Sequence, residues 1–157
     1  MTGYRVSQHL LLACIAYFMV ACEPGYDVTA HQSVLEWPEQ HLLFVADTRQ
    51  GKVQSFFLGN GAPVPFAQTH DPQRSSVRDL QLDPQHGQLW VLGDNGVSVH
   101  KARGLILQRH ITLDTANVAA LSVDETRVWL VDGAGERIGQ IDRGTLVASW
   151  RFPDRHG

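Results

Sequence analysis

Three aspartates stand at comparable places in the chain, each at the end of a run of apolar residues: Asp47, Asp94 and Asp132. If the chain repeats one structural unit, these carboxylates could converge at one end of the molecule and, with histidine, bind a divalent metal. Aspartate is also common in tight turns, because its carboxylate accepts hydrogen bonds from nearby backbone amides. We favour the turn-capping role and keep the Asp/His metal site as the alternative.

The histidines and the short catalytic motifs give no further support for an active site. Seven histidines follow the first 30 residues: His31, His41, His70, His86, His100, His110 and His156. None forms a His-x-His or His-x₃-His pair with a nearby acid, so we expect them at the surface or in turns. No Gly-x-Ser-x-Gly elbow, P-loop or Gly-x-Gly-x-x-Gly segment occurs. We therefore assign no catalytic residue and no cofactor, and the sequence favours a protein that is not an enzyme.

Length, composition and charge describe a globular domain with a core. The chain has 157 residues, of which 43% are hydrophobic and 18% are charged. This balance is neither that of a disordered chain nor that of a membrane-embedded one. The formal net charge is −3 and lysines and arginines form no run, so we do not expect nucleic-acid binding.

Residues 77–112 show which elements would position the candidate side chains. Four short apolar runs alternate there with clusters of Asp, Asn, Gly and Pro, and apolar and polar residues alternate within the runs. A period of two bounded by turn residues predicts antiparallel strands joined by hairpins. The pair Asn95-Gly96 predicts a type I′ turn, which needs a positive φ at both central residues. The stretch is therefore predicted to form one four-stranded meander.

The same pattern occurs twice more, over residues 33–69 and 117–152. Trp90 and Trp129 occupy the same place in the second strand of their units. The glycines that close the third hairpin of each unit are Gly61, Gly104 and Gly144. The four tryptophans all fall on predicted strands, where we expect them in the core: Trp37, Trp90, Trp129 and Trp150. Three copies of one strand pattern predict three copies of one sheet.

A repeat of four strands in about 40–45 residues is characteristic of a β-propeller blade. The segments LWVLGDNGVSVH (89–100) and VWLVDGAGERIGQI (128–141) resemble β-propeller repeats of the NHL and YVTN types. The resemblance covers about residues 33–152 and implies an all-β fold of three four-stranded propeller-like blades, a partial propeller. Hairpins of a sandwich or an up-and-down barrel are the alternative. By the same resemblance, the three aspartates could bind calcium or another divalent metal, as in lactonase-like propellers.

Three blades would leave two blade faces uncovered. A propeller closes at about four to eight blades, and each blade is apolar on both faces because it packs between neighbours. Soluble monomers rarely expose so large an apolar area. We therefore expect a protein partner, either a second copy that completes a six-bladed ring or a different subunit. Trp150 and Phe152, near the carboxyl end, are candidates for partner binding.

The N-terminal residues have the pattern of an export signal. Residues 10–21 are an unbroken apolar run of twelve, and Arg5 precedes it. That length suits the apolar region of a signal peptide and is too short for an ordinary transmembrane helix. The run ends in Met19-Val20-Ala21-Cys22, which resembles the bacterial lipoprotein box. A plain signal peptide or an uncleaved signal anchor is the alternative.

The lipoprotein resemblance implies an order of segments and a location. Residues 1–21 would be the signal peptide, a helix removed on export, and Cys22 would carry the lipid that anchors the protein to a membrane. Residues 22–32 would form a tether, and residues 33–157 the β-propeller-like domain. Glu23, where some lipoproteins have aspartate, implies the outer membrane of the cell envelope, facing the periplasm.

These observations favour one function and leave a second open. The first is a membrane-anchored, periplasm-facing module for protein interaction or assembly. The alternative is a hydrolase or lactonase of the propeller type, with an Asp/His site for a divalent metal. Bound metal in stoichiometric amount would distinguish them, because only the second requires it.

Overall fold

The structure is a computed structural model that describes residues 33–59, 61–113, 118–133, 137–145 and 148–151. The predicted signal helix, Cys22, the tether and Phe152 lie outside the described residues, and of Trp150 only the backbone is described. The roles predicted for these residues therefore stay predictions.

Twelve strands in the described residues form three antiparallel sheets of four strands each, and in every sheet the strands lie side by side in chain order. Blade 1 consists of β1 (Val34–Trp37), β2 (Leu42–Asp47), β3 (Lys52–Phe57) and β4 (Val64–Gln68). Blade 2 consists of β5 (Asp79–Asp83), β6 (Gln88–Leu92), β7 (Gly96–Lys101) and β8 (Ile106–Thr112). Blade 3 consists of β9 (Val118–Val123), β10 (Arg127–Asp132), β11 (Ile138–Asp142) and β12 (Ala148–Arg151). The prediction of an all-β fold with three four-stranded blades is confirmed.

Helical structure in the described part of the chain is limited to one 3-10 turn, Pro38–Gln40. No helix there is long and apolar enough to cross a membrane.

Blade 2 packs between the other two blades and is apolar on both faces. One buried cluster contains Phe44 and Val53 of blade 1 together with Leu80 and Val91 of blade 2. A second buried cluster joins the opposite face of blade 2 to blade 3, and it includes Trp90, Leu92, Val97, Leu130 and Ile141. Side chains alternate between the faces of a strand, so neighbours in β6 enter different clusters.

The first strands of the three blades lie next to one another, as β5 contacts both β1 and β9. Asp79 of β5 contributes to this contact, because its carboxylate accepts a hydrogen bond from the backbone amide of Leu121 in β9 at 2.9 Å. Since β4 and β8 are the last strands of their sheets, the chain runs from the shared first strands outward in blades 1 and 2. β4 contains Pro65, which has no backbone N–H to donate to a neighbouring strand. The position of β4 at the edge of its sheet agrees with this.

The predicted type I′ turn at Asn95-Gly96 is wrong. The amide of Gly93 donates to the carbonyl of Gly96 at 2.8 Å, which places Asp94 and Asn95, not Asn95 and Gly96, at the centre of the loop. Gly96 has a positive φ of 143°, whereas Asn95 does not. In the next hairpin Leu105, which follows Gly104, has a left-handed φ of 51°.

Candidate functional site

Two of the three predicted metal-site aspartates are used in turns or chain connections. The carboxylate of Asp47 accepts hydrogen bonds from the amides of Arg49 at 3.1 Å and Gln50 at 2.9 Å. The carboxylate of Asp94 accepts hydrogen bonds from the amides of Ser75 and Ser76, both at 3.2 Å, and from the Ser75 hydroxyl. Asp94 therefore fastens the connection between blades 1 and 2 to the tip of a blade 2 hairpin.

The third aspartate, Asp132, is buried and forms an ion pair with Arg137, whose Nε lies 3.0 Å from its Oδ2. Within the described residues, no three side chains of the types His, Cys, Asp and Glu gather as a metal-binding group. The structure thus gives each candidate carboxylate a local partner and does not bring the three into one site.

A buried polar cluster between blades 1 and 2 was not found from the sequence. The guanidinium of Arg74 donates to the carbonyl of Gly51 at 2.7 Å, to Oγ1 of Thr69 at 2.8 Å and to Oγ of Ser98 at 2.6 Å. Nη1 of the same group lies 3.3 Å from Nε2 of His100. The arginine, which belongs to the connection, therefore links loop and strand atoms of two blades.

His100 is fully buried, so the expectation that the histidines lie at the surface or in turns is wrong for this residue. Its Nδ1 lies 3.3 Å from the carbonyl of Leu105, which can only accept, so Nδ1 carries the proton and Nε2 is the acceptor. Burial, and secondarily the charge of Arg74, lowers the pKa of His100 to about 4. Burial likewise lowers the pKa of Arg74, although Asp71 and Asp94 oppose the shift.

A second polar cluster joins blades 2 and 3 around Arg143. The guanidinium donates to the carboxylate of Asp83, to the side-chain oxygen of Gln88 at 3.0 Å and to the carbonyl of Asp124 at 2.8 Å, and it lies 5.5 Å from the centre of the Trp90 ring. Burial alone would raise the pKa of Asp83, but hydrogen bonds from Arg143 and His86 lower it below its usual range. Both internal interfaces thus combine an apolar cluster with an arginine that bridges the blades.

The outer face of blade 3, the face turned away from blade 2, carries Trp129, Val131 and Ile138. Val131 and Ile138 are cross-strand partners and are 40% and 41% exposed. The indole of Trp129 is held in place, because its Nε1 donates to Asp124 at 3.1 Å and the Arg127 guanidinium lies 5.7 Å from its ring centre. An ordered aromatic group beside exposed aliphatic groups is the composition found at the centre of protein interfaces.

The outer face of blade 1 combines apolar side chains with Glu36, Lys52 and Gln54. It carries Val34, which is 51% exposed, and the partly buried Leu43, Val45 and Phe56. A concavity of about 420 Å³ opens on this face, and its lining combines Val45 and Phe56 with polar residues that include Asp47, Lys52 and Gln54. We call the two faces together the outer blade faces, and they are the candidate functional site.

Comparison with solved structures places this arrangement among β-propellers. BamB from Moraxella catarrhalis matches 78% of this chain with a TM-score of 0.58 and 13% identity. A 6-phosphogluconolactonase of Bacteroides fragilis, itself described as putative, matches 74% with a TM-score of 0.57 and 12% identity. A chain of the nidogen–laminin complex matches 77% with a TM-score of 0.58 and 12% identity. The three blades of this protein therefore form a partial β-propeller.

The chain spans only part of each of these structures, namely 35% of the BamB chain, 36% of the lactonase chain and 46% of the nidogen–laminin chain. No protein-family model matches the sequence, and no curated protein matches it at a significant level. At this identity the structural likeness defines the fold alone.

Proposed function

We propose that this protein is a lipid-anchored interaction module of the bacterial cell envelope, which faces the periplasm and binds a protein partner through its outer blade faces. The observation that carries the proposal is the position of the exposed apolar side chains. Seven large hydrophobic residues are exposed in the described part of the chain, and six of them belong to the two terminal blades. Three of these six, Val34, Val131 and Ile138, lie on the outer blade faces. Phe57 and Val64 are cross-strand partners on the side of blade 1 that faces blade 2, and Phe66 lies beside them on β4.

Packing inside the molecule explains why these positions are apolar. Blade 2, which has a neighbour on each side, buries the apolar residues of both faces in the two clusters. Blades 1 and 3 carry comparable residues on faces that no described element covers. Burying a side chain of this size is worth about 1.5–3 kcal/mol, so a partner that covers the outer blade faces gains substantial binding energy.

The Asp/His metal site of the alternative hydrolase is not part of this proposal, because the three aspartates hold amides and an arginine rather than facing one another. The solved structure of the nidogen–laminin complex shows that a chain of this fold can take part in a protein assembly. The lipid anchor rests on the sequence around Cys22, and the finer assignment of the repeats to the NHL or YVTN type rests on the two segments in blades 2 and 3.

Photo-cross-linking in intact cells tests the interaction. A benzophenone-bearing amino acid is placed at Val131, at Phe56 or, as a matched control, at Ile106, which is 62% exposed but lies on β8, the edge strand of blade 2. We expect a discrete adduct from the first two positions and none from the control. Equal labelling from all three positions, or from none, contradicts the proposal.

Labelling with radioactive palmitate tests the anchor separately. Replacement of Cys22 by alanine is expected to abolish incorporation, because the acyl chains would be attached through that residue. Cys14→Ala is the matched control and is expected to keep the label. Unchanged labelling of Cys22→Ala would refute the lipid-anchor assignment and leave the interaction proposal in place.

A further inference from the structure

We infer that the partner of the outer blade faces is a second copy of this chain, arranged head to tail, so that blade 3 of each copy covers blade 1 of the other. The inference rests on the proposed function and names its partner. Propellers close at about four to eight blades. The described residues of one copy supply three blades, so those of two copies supply six and those of three supply nine. Of these numbers, only six blades fall within that range.

The strand registers show which positions are equivalent in the three blades. Leu43, Leu89 and Val128 occupy one such position, since each is the second residue of the second strand of its blade and pairs with both neighbouring strands. Their first-strand partners are Glu36, Leu82 and Val123, and their third-strand partners are Phe56, His100 and Ile141. The equivalence of every other position in β2, β6 and β10 follows by counting along the strand.

One set of equivalent positions faces the following blade. Phe44 and Trp90 occupy such a position. Phe44 is buried in the cluster against blade 2, and Trp90 is buried in the cluster against blade 3. Their equivalent in blade 3 is Trp129, which lies on the outer face. In the same way Val97, buried against blade 3, corresponds to the exposed Ile138. Blade 3 thus presents the same face that blades 1 and 2 use to contact the blade that follows them.

The other set faces the preceding blade. Val91 and Leu130 are equivalent and fully buried, and the same position in blade 1 is Val45, on the outer face. Leu80 of β5 is buried against blade 1, and its equivalent in β1 is the exposed Val34. At Val34 and Val45 blade 1 thus presents apolar side chains where blades 2 and 3 contact the blade that precedes them, and Glu36 stands where those blades have Leu82 and Val123.

At the apolar positions compared above, the two outer blade faces therefore match the two halves of the interface that already occurs twice inside the molecule. A face that contacts the following blade packs against a face that contacts the preceding blade. One chain leaves one face of each type uncovered, the first on blade 3 and the second on blade 1. Two copies related by a two-fold axis bring blade 3 of each onto blade 1 of the other and form the interface twice. No apolar blade face then stays uncovered, which a single foreign subunit achieves only if it carries both types of face.

The test repeats the cross-linking with two differently tagged full-length chains expressed together. The benzophenone is placed at Val131 of one copy only, and the adduct is analysed by tag and by mass spectrometry. We expect an adduct of about 35 kDa, twice the 17.5 kDa of the chain before any processing, which contains both tags and is cross-linked to blade 1. Val34→Lys in the second copy is expected to lower the adduct yield at least tenfold, and Ile106→Lys is expected to leave it unchanged.

Each other outcome decides against the inference in its own way. An adduct with a different protein refutes the second copy and leaves the proposed function standing. An adduct that contains both tags but joins blade 3 to blade 3 refutes the head-to-tail arrangement. No adduct beyond the Ile106 control refutes both the inference and the proposed function.

Discussion

Nη1 of Arg74 lies 3.3 Å from Nε2 of His100 in the buried interface between blades 1 and 2. A guanidinium is always protonated, so the nitrogen that faces it must be the unprotonated one, and the imidazole is neutral. Ser98 lies between the two groups, because its hydroxyl accepts from Arg74 at 2.6 Å and lies 3.1 Å from the same imidazole nitrogen. The interface therefore contains a buried guanidinium that is hydrogen-bonded within the protein and lies 3.9 Å from the buried carboxylate of Asp71.

Arg74→Met is expected to lower the free energy of unfolding by about 3 kcal/mol or more, because removing one member of a buried polar cluster leaves its partners unpaired. Those partners are the carbonyl of Gly51, the hydroxyls of Thr69 and Ser98, and the buried carboxylate of Asp71. Urea unfolding followed by tryptophan fluorescence gives the value. Arg103→Met, at an exposed residue, is the control and should change stability by less than about 0.5 kcal/mol. Equal effects of the two substitutions would show that Arg74 does not hold the interface.

The free energy of unfolding should decrease as the pH is lowered, because of His100. Its pKa is about 4 in the folded protein and 6.5 in the reference state, so the unfolded chain takes up a proton before the folded one does. The contribution of neutral His100 is complete above pH 6.5 and is lost as the pH falls toward 4. Between pH 7 and pH 5 the loss is on the order of 1–2 kcal/mol.

His100→Gln is expected to remove this part of the pH dependence, while His70→Gln, at an exposed residue, keeps it. The quantity to compare is the difference in unfolding free energy between pH 7 and pH 5 for the three proteins. If His100→Gln shows the same difference as the unsubstituted protein, the imidazole is not held neutral by the fold.

Local patterns predict the blades well because each blade is a run of short hairpins. The alternation in residues 77–112 determines four strands without reference to any distant residue, and the structure has β5 to β8 there. The same reasoning predicts the edge position of the strand with Pro65. Strand existence depends on period and turn residues, which the sequence displays directly.

Burial could not be predicted in the same way, because it depends on what packs against each face. Ser98 and His100 alternate with valines, a pattern that in most antiparallel sheets marks a solvated face. Both faces of blade 2 are covered, and the polar residues are satisfied by Arg74, which lies in a connection more than twenty residues earlier. The burial of Trp90 and Trp129 could not be predicted from the sequence for the same reason. They occupy equivalent positions, but Trp90 is buried because blade 3 follows it, whereas no described blade follows Trp129.

Gly96→Ala should be strongly destabilising, by about 3 kcal/mol or more, for two reasons that act together. The residue has a φ of 143°, which side chains with a Cβ rarely adopt, and a Cβ would lie 2.1 Å from the carbonyl oxygen of Ile111 in the neighbouring strand β8. Gly61 separates the two reasons, because its φ is 83° but a Cβ there would meet no atom within 4 Å. Gly61→Ala is therefore expected to cost only about 1 kcal/mol, from backbone strain alone. Urea midpoints of the two variants measure the difference, and a Gly96→Ala protein as stable as Gly61→Ala would mean that β7 and β8 separate at this point without cost.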